Sequence, residues 1–272
     1  MGPRLATRWR SELTCRPCSY VHSDVASLIS SYRYDSHPMA ILTSSFAALG
    51  AFAPEANPSL AGQSLYSNKS PESYAAIDKQ IFRLIGKSIT LAAMSYRIRQ
   101  GRPFNRPPTN MSYTETFLYM LDFLNEKDFR PNPTIAKALD VLFILHADHE
   151  QNCSAAAVQL TGSSLVDPYS AVAAGCAALY GPSHGGATEA VVRMLERIGS
   201  PENVPEYLEK VKRKEVVLSG FGHRIYRTSD PRSLIIRSLA EEVFNVTGQN
   251  PLLKIAITLH DAAVKDEYFV KR

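Results

Sequence analysis

Residues 72–100, ESYAAIDKQIFRLIGKSITLAAMSYRIRQ, place apolar groups at Ile77, Ile81, Leu84, Ile85 and Ile89. That spacing returns to one face every three or four residues, which is the period of a helix and not of a strand. Upstream, residues 25–52 contain Pro38 and then a small-residue helical run, ILTSSFAALGAF. Residues 54–70 are rich in Pro, Asn and Ser and read as a loop. Downstream, GRPFNRPPTN (101–110) is expected to be irregular, because its prolines lack the donor that a helix needs. Helical patterns return at ETFLYMLDFL (115–124), TIAKALDVLFILHADHE (134–150), AVAAGCAALYG (171–181) and ATEAVVRMLERI (187–198), with two more near 205–214 and 233–247. Strand signals are sparse, and neither an internal repeat nor a low-complexity tract is present. The spacing predicts an all-α, multi-helix protein.

With 272 residues, 45% of them hydrophobic and 21% charged, the chain can bury a sizeable core, in one large domain or in a large and a small one. A formal net charge of +4 calls for a clustered basic face before nucleic acid becomes a partner. The one short run, KVKRK at 210–214, reads as a solvated helix face, so no nucleic-acid partner is expected. So small an excess suits a protein that handles anionic carboxylates and phosphates. No apolar stretch approaches the ~18 residues that cross a bilayer, and no membrane partner is expected.

Cys15 and Cys18 form a CxxC without the second pair that would complete a zinc site, and they fall in a leader expected to be unstructured. That leader, residues 1–19, sets Arg4, Arg8, Arg10 and Arg16 against Glu12, a faint likeness to a mitochondrial presequence. Ala6 stands where myristoylation wants Ser or Thr. The compartment expected is soluble and intracellular, cytoplasm or mitochondrion.

Three short contexts carry chemistry. In His146-Ala-Asp-His149-Glu-Gln-Asn152 the two histidines, three apart, are expected to share a helix face. They read as a metal pair, as core histidines or as histidines aimed at a substrate. HADHE is neither HExxH nor HxxEH, and no further ligand follows at the right spacing, so no metal is expected. In Gly181-Pro-Ser-His184-Gly-Gly186, the two glycines permit close approach and unusual dihedrals. The helix that follows presents its positive end, where a neutral His184 would donate to a developing enolate oxygen. The bland alternative is a glycine-rich connection with a capping histidine. In Leu218-Ser-Gly-Phe-Gly-His223-Arg-Ile-Tyr-Arg227-Thr-Ser-Asp-Pro-Arg232, two glycines open a turn, and Arg224, Arg227 and Arg232 follow His223. Guanidinium forks match carboxylate and phosphate oxygens, so this segment suits a dianionic keto acid with a phosphorylated carrier; a solvated basic turn is the alternative.

HADHEQN, GPSHGG and GFGHRIYRTSDPR, in this order and at these separations, resemble the three signature segments of citrate synthases, most closely those of the bacterial type II branch. Weaker similarity runs through RYDSHPMA (33–40) and TNMSY (109–113), so the resemblance covers about residues 20–272. It implies an all-helical two-domain fold: 1–19 a divergent leader, 20–183 part of the large domain, and 184–272 the small domain on the coenzyme A and oxaloacetate side. It also implies a homo-oligomer, a dimer or a ring of dimers, and condensation of acetyl-CoA with oxaloacetate. No cofactor is held permanently; the coenzyme A thioester is a co-substrate. By motif, His184 would polarise the thioester carbonyl, and His223 would donate to the keto oxygen of oxaloacetate. His149 and Arg232 would hold the carboxylates of oxaloacetate, with His146 and Asn110 in the same pocket. Arg227 would reach the coenzyme A phosphates, and the backbone of 218–222, with Gly220 and Gly222, would line the adenine site.

The family's proton-abstracting Asp is expected in an NVD-type segment beyond Arg272, and neither Asp261 nor Asp266 sits in such a motif. The chain therefore reads as truncated at both ends, with an incomplete large domain. Two readings of function follow: a synthase acting on acetyl-CoA or a longer, alkylcitrate-forming acyl-CoA, or a non-catalytic relative that keeps ligand or partner binding. Cys153 and Thr188 stand near the expected thioester. A helical interaction protein with incidental histidines is a third alternative.

Overall fold

The computed structural model describes residues 16–222, 226 and 229–270. Among them every regular element is helical. The chain divides into two compact units, 1–180 and 181–272.

The first unit contains α1 (Arg16–Ser19), α2 (Ser23–Ser30), α3 (Pro38–Ala51), α4 (Pro58–Ala61), α5 (Pro71–Arg99), α6 (Tyr113–Asp122), α7 (Pro133–Ala147), α8 (Cys153–Gly162) and α9 (Pro168–Tyr180). Local chemistry sets most of their starts. Ser70 caps α5, its Oγ accepting from Ser73 N, with Pro71 in the first turn where a missing N–H is harmless. Ser112 and Glu115 close a capping box at α6. Asn132 caps α7 and Asn152 caps α8. Two histidines do the same work: Nδ1 of His22 accepts from Asp24 N, and Nδ1 of His37 from Met39 N.

The core of this unit joins Val25 and Ile29 of α2, Ile41, Phe46 and Leu49 of α3, Leu84, Leu91 and Met94 of α5, and Tyr169 and Ala173 of α9. The small-residue run of α9 packs against both α8 and α3. A Cβ at Gly175 would stand 2.6 Å from Cγ2 of Val158, so the approach of α8 to α9 depends on a bare hydrogen. Arg97, almost wholly buried, ties the irregular 101–110 stretch to the end of α6 by donating to the carbonyls of Pro103, Leu121 and Phe123.

The second unit contains α10 (Gly186–Ile198), α11 (Val204–Lys212), α12 (Arg232–Thr247), α13 (Pro251–Ala263) and α14 (Glu267–Val270). Met194, Leu195 and Ile198 of α10 pack with Val204, Tyr207 and Leu208 of α11 and Ile255 and Leu259 of α13.

Four expectations need correction. The 54–70 segment is not all loop: Pro54–Ala56 form a 3-10 turn and α4 follows, capped by Asn57. The end of the supposedly unstructured leader is helical, since α1 packs on α5. Four helices, α2, α8, α13 and α14, went unread in the sequence. Finally, His146 and His149 do not share a helix face. Helix α7 ends at Ala147, Asp148 is extended (φ −151°, ψ 133°), and Glu150 has φ 67°. The Asp148 carboxylate accepts from Glu150 N at 3.1 Å, a local turn that competes with another helical turn.

No helix among the described residues is long and apolar enough to cross a membrane. The KVKRK run is engaged with acidic side chains: Lys210 pairs with Glu206, and Lys212 with Glu209 and Asp266.

Candidate active site

The first segment leaves the end of α7. His146 lies in its last turn, exposed, with Nδ1 2.7 Å from the Leu142 carbonyl. A carbonyl only accepts, so Nδ1 is the donor in this contact. His149 is exposed on the irregular link between Ala147 and α8. Asn152 ends that link, its Oδ1 accepting from Ala155 N at 2.9 Å. The link presents His149 on two anchored helix ends. Asn110 lies in a separate part of the same unit, at a cleft of about 530 Å³ with Tyr119, Phe123 and Arg130, and its carbonyl accepts from Nη1 of Arg130.

The second segment is a closed turn. His184 N donates to the Gly181 carbonyl at 3.0 Å and Gly186 N to the same oxygen at 3.1 Å. Ala187 N then donates to the His184 carbonyl at 3.1 Å, and α10 is under way. The half-buried His184 thus sits at the positive end of a 13-residue helix with no side-chain cap. The unusual dihedrals expected of this glycine pair are not taken up at Gly185, which has ordinary helical values (φ −64°, ψ −31°).

Positive φ belongs instead to the third segment, at Gly220 (84°) and Gly222 (76°). Side chains rarely adopt that region, so these two positions need glycine. A Cβ at Gly220 would also stand 3.0 Å from Cγ2 of Val191 in α10. The 218–222 loop therefore rests on the helix that begins beside His184. Its base is held by Tyr207, whose hydroxyl donates to the Val217 carbonyl at 3.0 Å. His223 and Arg227, like Arg224, lie outside the described residues.

Arg232 opens α12 and is gripped by Asp230: Nε is 3.1 Å from Oδ1 and Nη2 is 2.7 Å from Oδ2. The Arg232 backbone N–H donates to Oδ1 as well, at 2.9 Å. Donating to the Asp230 carboxylate makes the guanidinium hold its proton still more tightly than usual. Sequence reasoning passed over Asp230 and Val191. The signal for the first was the acid two places before an arginine at a helix start.

Of the remaining candidates, Asp266 has a structural role. Asp266 pairs with Lys212 at 2.6 Å, which holds its carboxyl below the usual range, and it accepts from Tyr268 N. Asp261 is exposed. Cys153 and Thr188 are exposed in the first turns of α8 and α10. Burial raises the Cys176 thiol to about 11, so it stays protonated and inert. Among the described residues no group of three or more His, Cys, Asp or Glu is placed to hold a metal ion.

A family model of the citrate synthase C-terminal domain matches residues 5–272, and so takes in most of the leader set apart above. Over 254 residues the chain is 51% identical to a citrate synthase of Dictyostelium discoideum, with 93% of this chain and 49% of that protein aligned. It is 50% identical to the glyoxysomal citrate synthase of Cucurbita maxima, covering 48% of it. The chain thus spans about half the length of these curated relatives. Among solved structures, the citrate synthase of Pyrobaculum aerophilum superposes with a TM-score of 0.85 at 29% identity, over 100% of this chain and 65% of that one. The Thermoplasma acidophilum citrate synthase, solved as a ternary complex with carboxymethyl coenzyme A and oxaloacetate, gives 0.80 at 26% identity, over 97% and 65%.

Proposed function

Because this chain belongs to the citrate synthase family, we propose that it serves the condensation of acetyl-CoA with oxaloacetate to give citrate. The observation that carries this reading is the family match over residues 5–272, with HADHEQN, GPSHGG and GFGHRIYRTSDPR intact within it.

A methyl group beside a thioester is a weak acid, so its deprotonation needs a base together with a donor at the carbonyl oxygen. His184, half-buried at the start of α10, is assigned that donor role and holds the enol or enolate. The nucleophilic carbon then attacks the ketone of oxaloacetate, and His223 gives a proton to the oxygen that becomes the hydroxyl. Water cleaves the remaining thioester and coenzyme A leaves as the thiol. His149 and Arg232 hold the carboxylates, with His146 and Asn110 assigned to the same pocket. Arg227 meets the coenzyme A phosphates, and the 218–222 backbone lines the adenine, its path set by the positive φ of Gly220 and Gly222. Neither Asp261 nor Asp266 is assigned to proton abstraction; the Lys212 ion pair commits Asp266 elsewhere.

Residues 20–183 are assigned to the large domain and 184–272 to the small one, in a homo-oligomer, a dimer or a ring of dimers. No resident cofactor is part of this reading. A longer acyl-CoA in place of acetyl-CoA, giving an alkylcitrate, is a matter of small apolar differences in the pocket, each methylene worth ~1–3 kcal/mol. Relatives named peroxisomal and glyoxysomal add that compartment to cytoplasm and mitochondrion.

The test is release of free thiol from acetyl-CoA, with and without oxaloacetate, followed by a profile of donor chain length. Oxaloacetate-dependent release supports the reading. Oxaloacetate binding without release points to a non-catalytic relative, and neither binding nor release removes the proposal.

A further inference from the structure

We infer that Tyr207 is a positioning residue for coenzyme A, fastening the base of the 218–222 loop so that its path is set before the adenine arrives. The inference rests on the function proposed above, in which that loop lines the adenine. Tyr207 lies in α11 and is 7% exposed, within the core it shares with Met194, Leu195, Ile198 and Ile255. A phenol buried this far needs a partner for its hydroxyl. The partner is the Val217 carbonyl at 3.0 Å, ten positions along the chain and outside the helix of Tyr207.

Three observations tie this bond to the path of the loop. Val216 and Leu218 pack on the core, while Val217 between them is 77% exposed. At that position the main-chain carbonyl, not the side chain, makes the attachment. Gly220 and Gly222 then take φ of 84° and 76°, and glycine has the most backbone freedom to lose, so such a loop keeps one path only if it is fastened beside them. Beyond the base, Gly220 lies against Val191, and Phe221 packs on the same core with its ring 6.4 Å from that of His260. A loop held in this way spares the ligand the cost of ordering it.

Other roles for the hydroxyl predict other outcomes. If it serves only the core, its loss lowers stability and leaves ligands alone. If it occupies a carbonyl that the adenine amino group would otherwise use, its loss tightens coenzyme A binding. If it positions the loop, its loss weakens coenzyme A and spares oxaloacetate, which carries no adenine.

Calorimetric titrations of coenzyme A and, separately, of oxaloacetate into the full chain decide the matter, using wild type, Tyr207→Phe and Gly220→Ala. Amide hydrogen exchange of the unliganded proteins accompanies them. Phenylalanine keeps the buried ring, so the core of the second unit is retained. Gly220→Ala disturbs the loop from within, through its positive φ and the contact with Val191. The expected result for Tyr207→Phe is coenzyme A affinity lower by about threefold to tenfold, the range for one neutral hydrogen bond, with oxaloacetate affinity unchanged. Exchange should quicken over 216–222 and stay at the wild-type rate in α10 and α13. Unchanged or tighter coenzyme A binding in Tyr207→Phe, an equal loss for oxaloacetate, or exchange over 216–222 as slow as in wild type overturns the inference. If Tyr207→Phe binds coenzyme A normally while Gly220→Ala loses it, the loop keeps its role and only that of Tyr207 falls. If wild type fails to bind coenzyme A, the functional reading falls, and this inference with it.

Discussion

Removing the imidazole of His184 tests the proposed chemistry at its narrowest point. His184→Ala deletes the donor assigned to the thioester oxygen, and thiol release should fall by about 10²–10³ if that donor stabilises an enolate. The turn from Gly181 to Gly186 is closed by backbone groups, so the thermal midpoint should hardly move. A second single-residue expectation concerns Lys87. Burial, with Arg83 nearby, pushes its amine down from 10.5 to about 8. Between about pH 8 and pH 10.5 the unfolded chain binds a proton that the folded chain has released, so the Lys87 contribution to stability rises with pH across that window. Urea midpoints at about pH 8 and about pH 10 should diverge for wild type and Lys87→Met, with wild type gaining relative to the variant. Tyr66, Tyr113 and Tyr169, raised to about 12 chiefly by burial, are common to both proteins and cancel in the comparison. At this scale the sequence was legible for identity and poor for direction. The histidines of HADHEQN stand out by composition, yet nothing in their spacing says that the Asp148 carboxylate turns the chain before His149.

Among elements, the contact between α8 and α9 is the most exacting. A methyl group at position 175 would sit 2.6 Å from Cγ2 of Val158, well inside contact distance. Gly175→Ala should therefore cost about 1–3 kcal/mol by overpacking, despite the better helix propensity of alanine. Adding Val158→Ala should recover most of it, and chemical denaturation of the two single variants and the double variant measures the coupling. The small-residue run at 171–181 announced this close approach, because only such residues let two backbones come together. Its partner was hidden: α8 has no buried residue, and its two larger apolar side chains, Val158 and Leu160, make no apolar stripe. Helix α13 was overlooked for a different reason. Asn250 and Pro251 mark its start, and Ile255 and Leu259 are spaced for one face, so the signal was present.

For the molecule as a whole, ligand binding is the readout that integrates the candidate residues. Oxaloacetate at about one hundred times its dissociation constant should add about 2.7 kcal/mol to stability, and Arg232→Ala should abolish the rise in thermal midpoint. The two units fold around separate cores, one centred on α3, α5 and α9 and the other on α10, α11 and α13. The helical class was readable throughout because periodicity is a property of neighbours in sequence; the placing of Gly220 on Val191, across some thirty positions, is not. The docking of residues 18–20 on α5 carries a further consequence. Gly86 leaves room for the Cys18 carbonyl, which a Cβ would meet at 2.7 Å. Thr90 Oγ1 donates to the Ser19 carbonyl at 2.7 Å, and Lys87 Nζ to that of Tyr20. Three successive carbonyls are thus received by one helix through their main chain. Such a seat grips the main chain of the incoming segment, so the identity of the exposed Tyr20 matters little to it, while Gly86, Lys87 and Thr90 are the residues it cannot exchange freely. A Tyr20→Ala protein should dock as before, whereas Gly86→Val should unseat the segment, a contrast that amide hydrogen exchange over residues 18–20 would register.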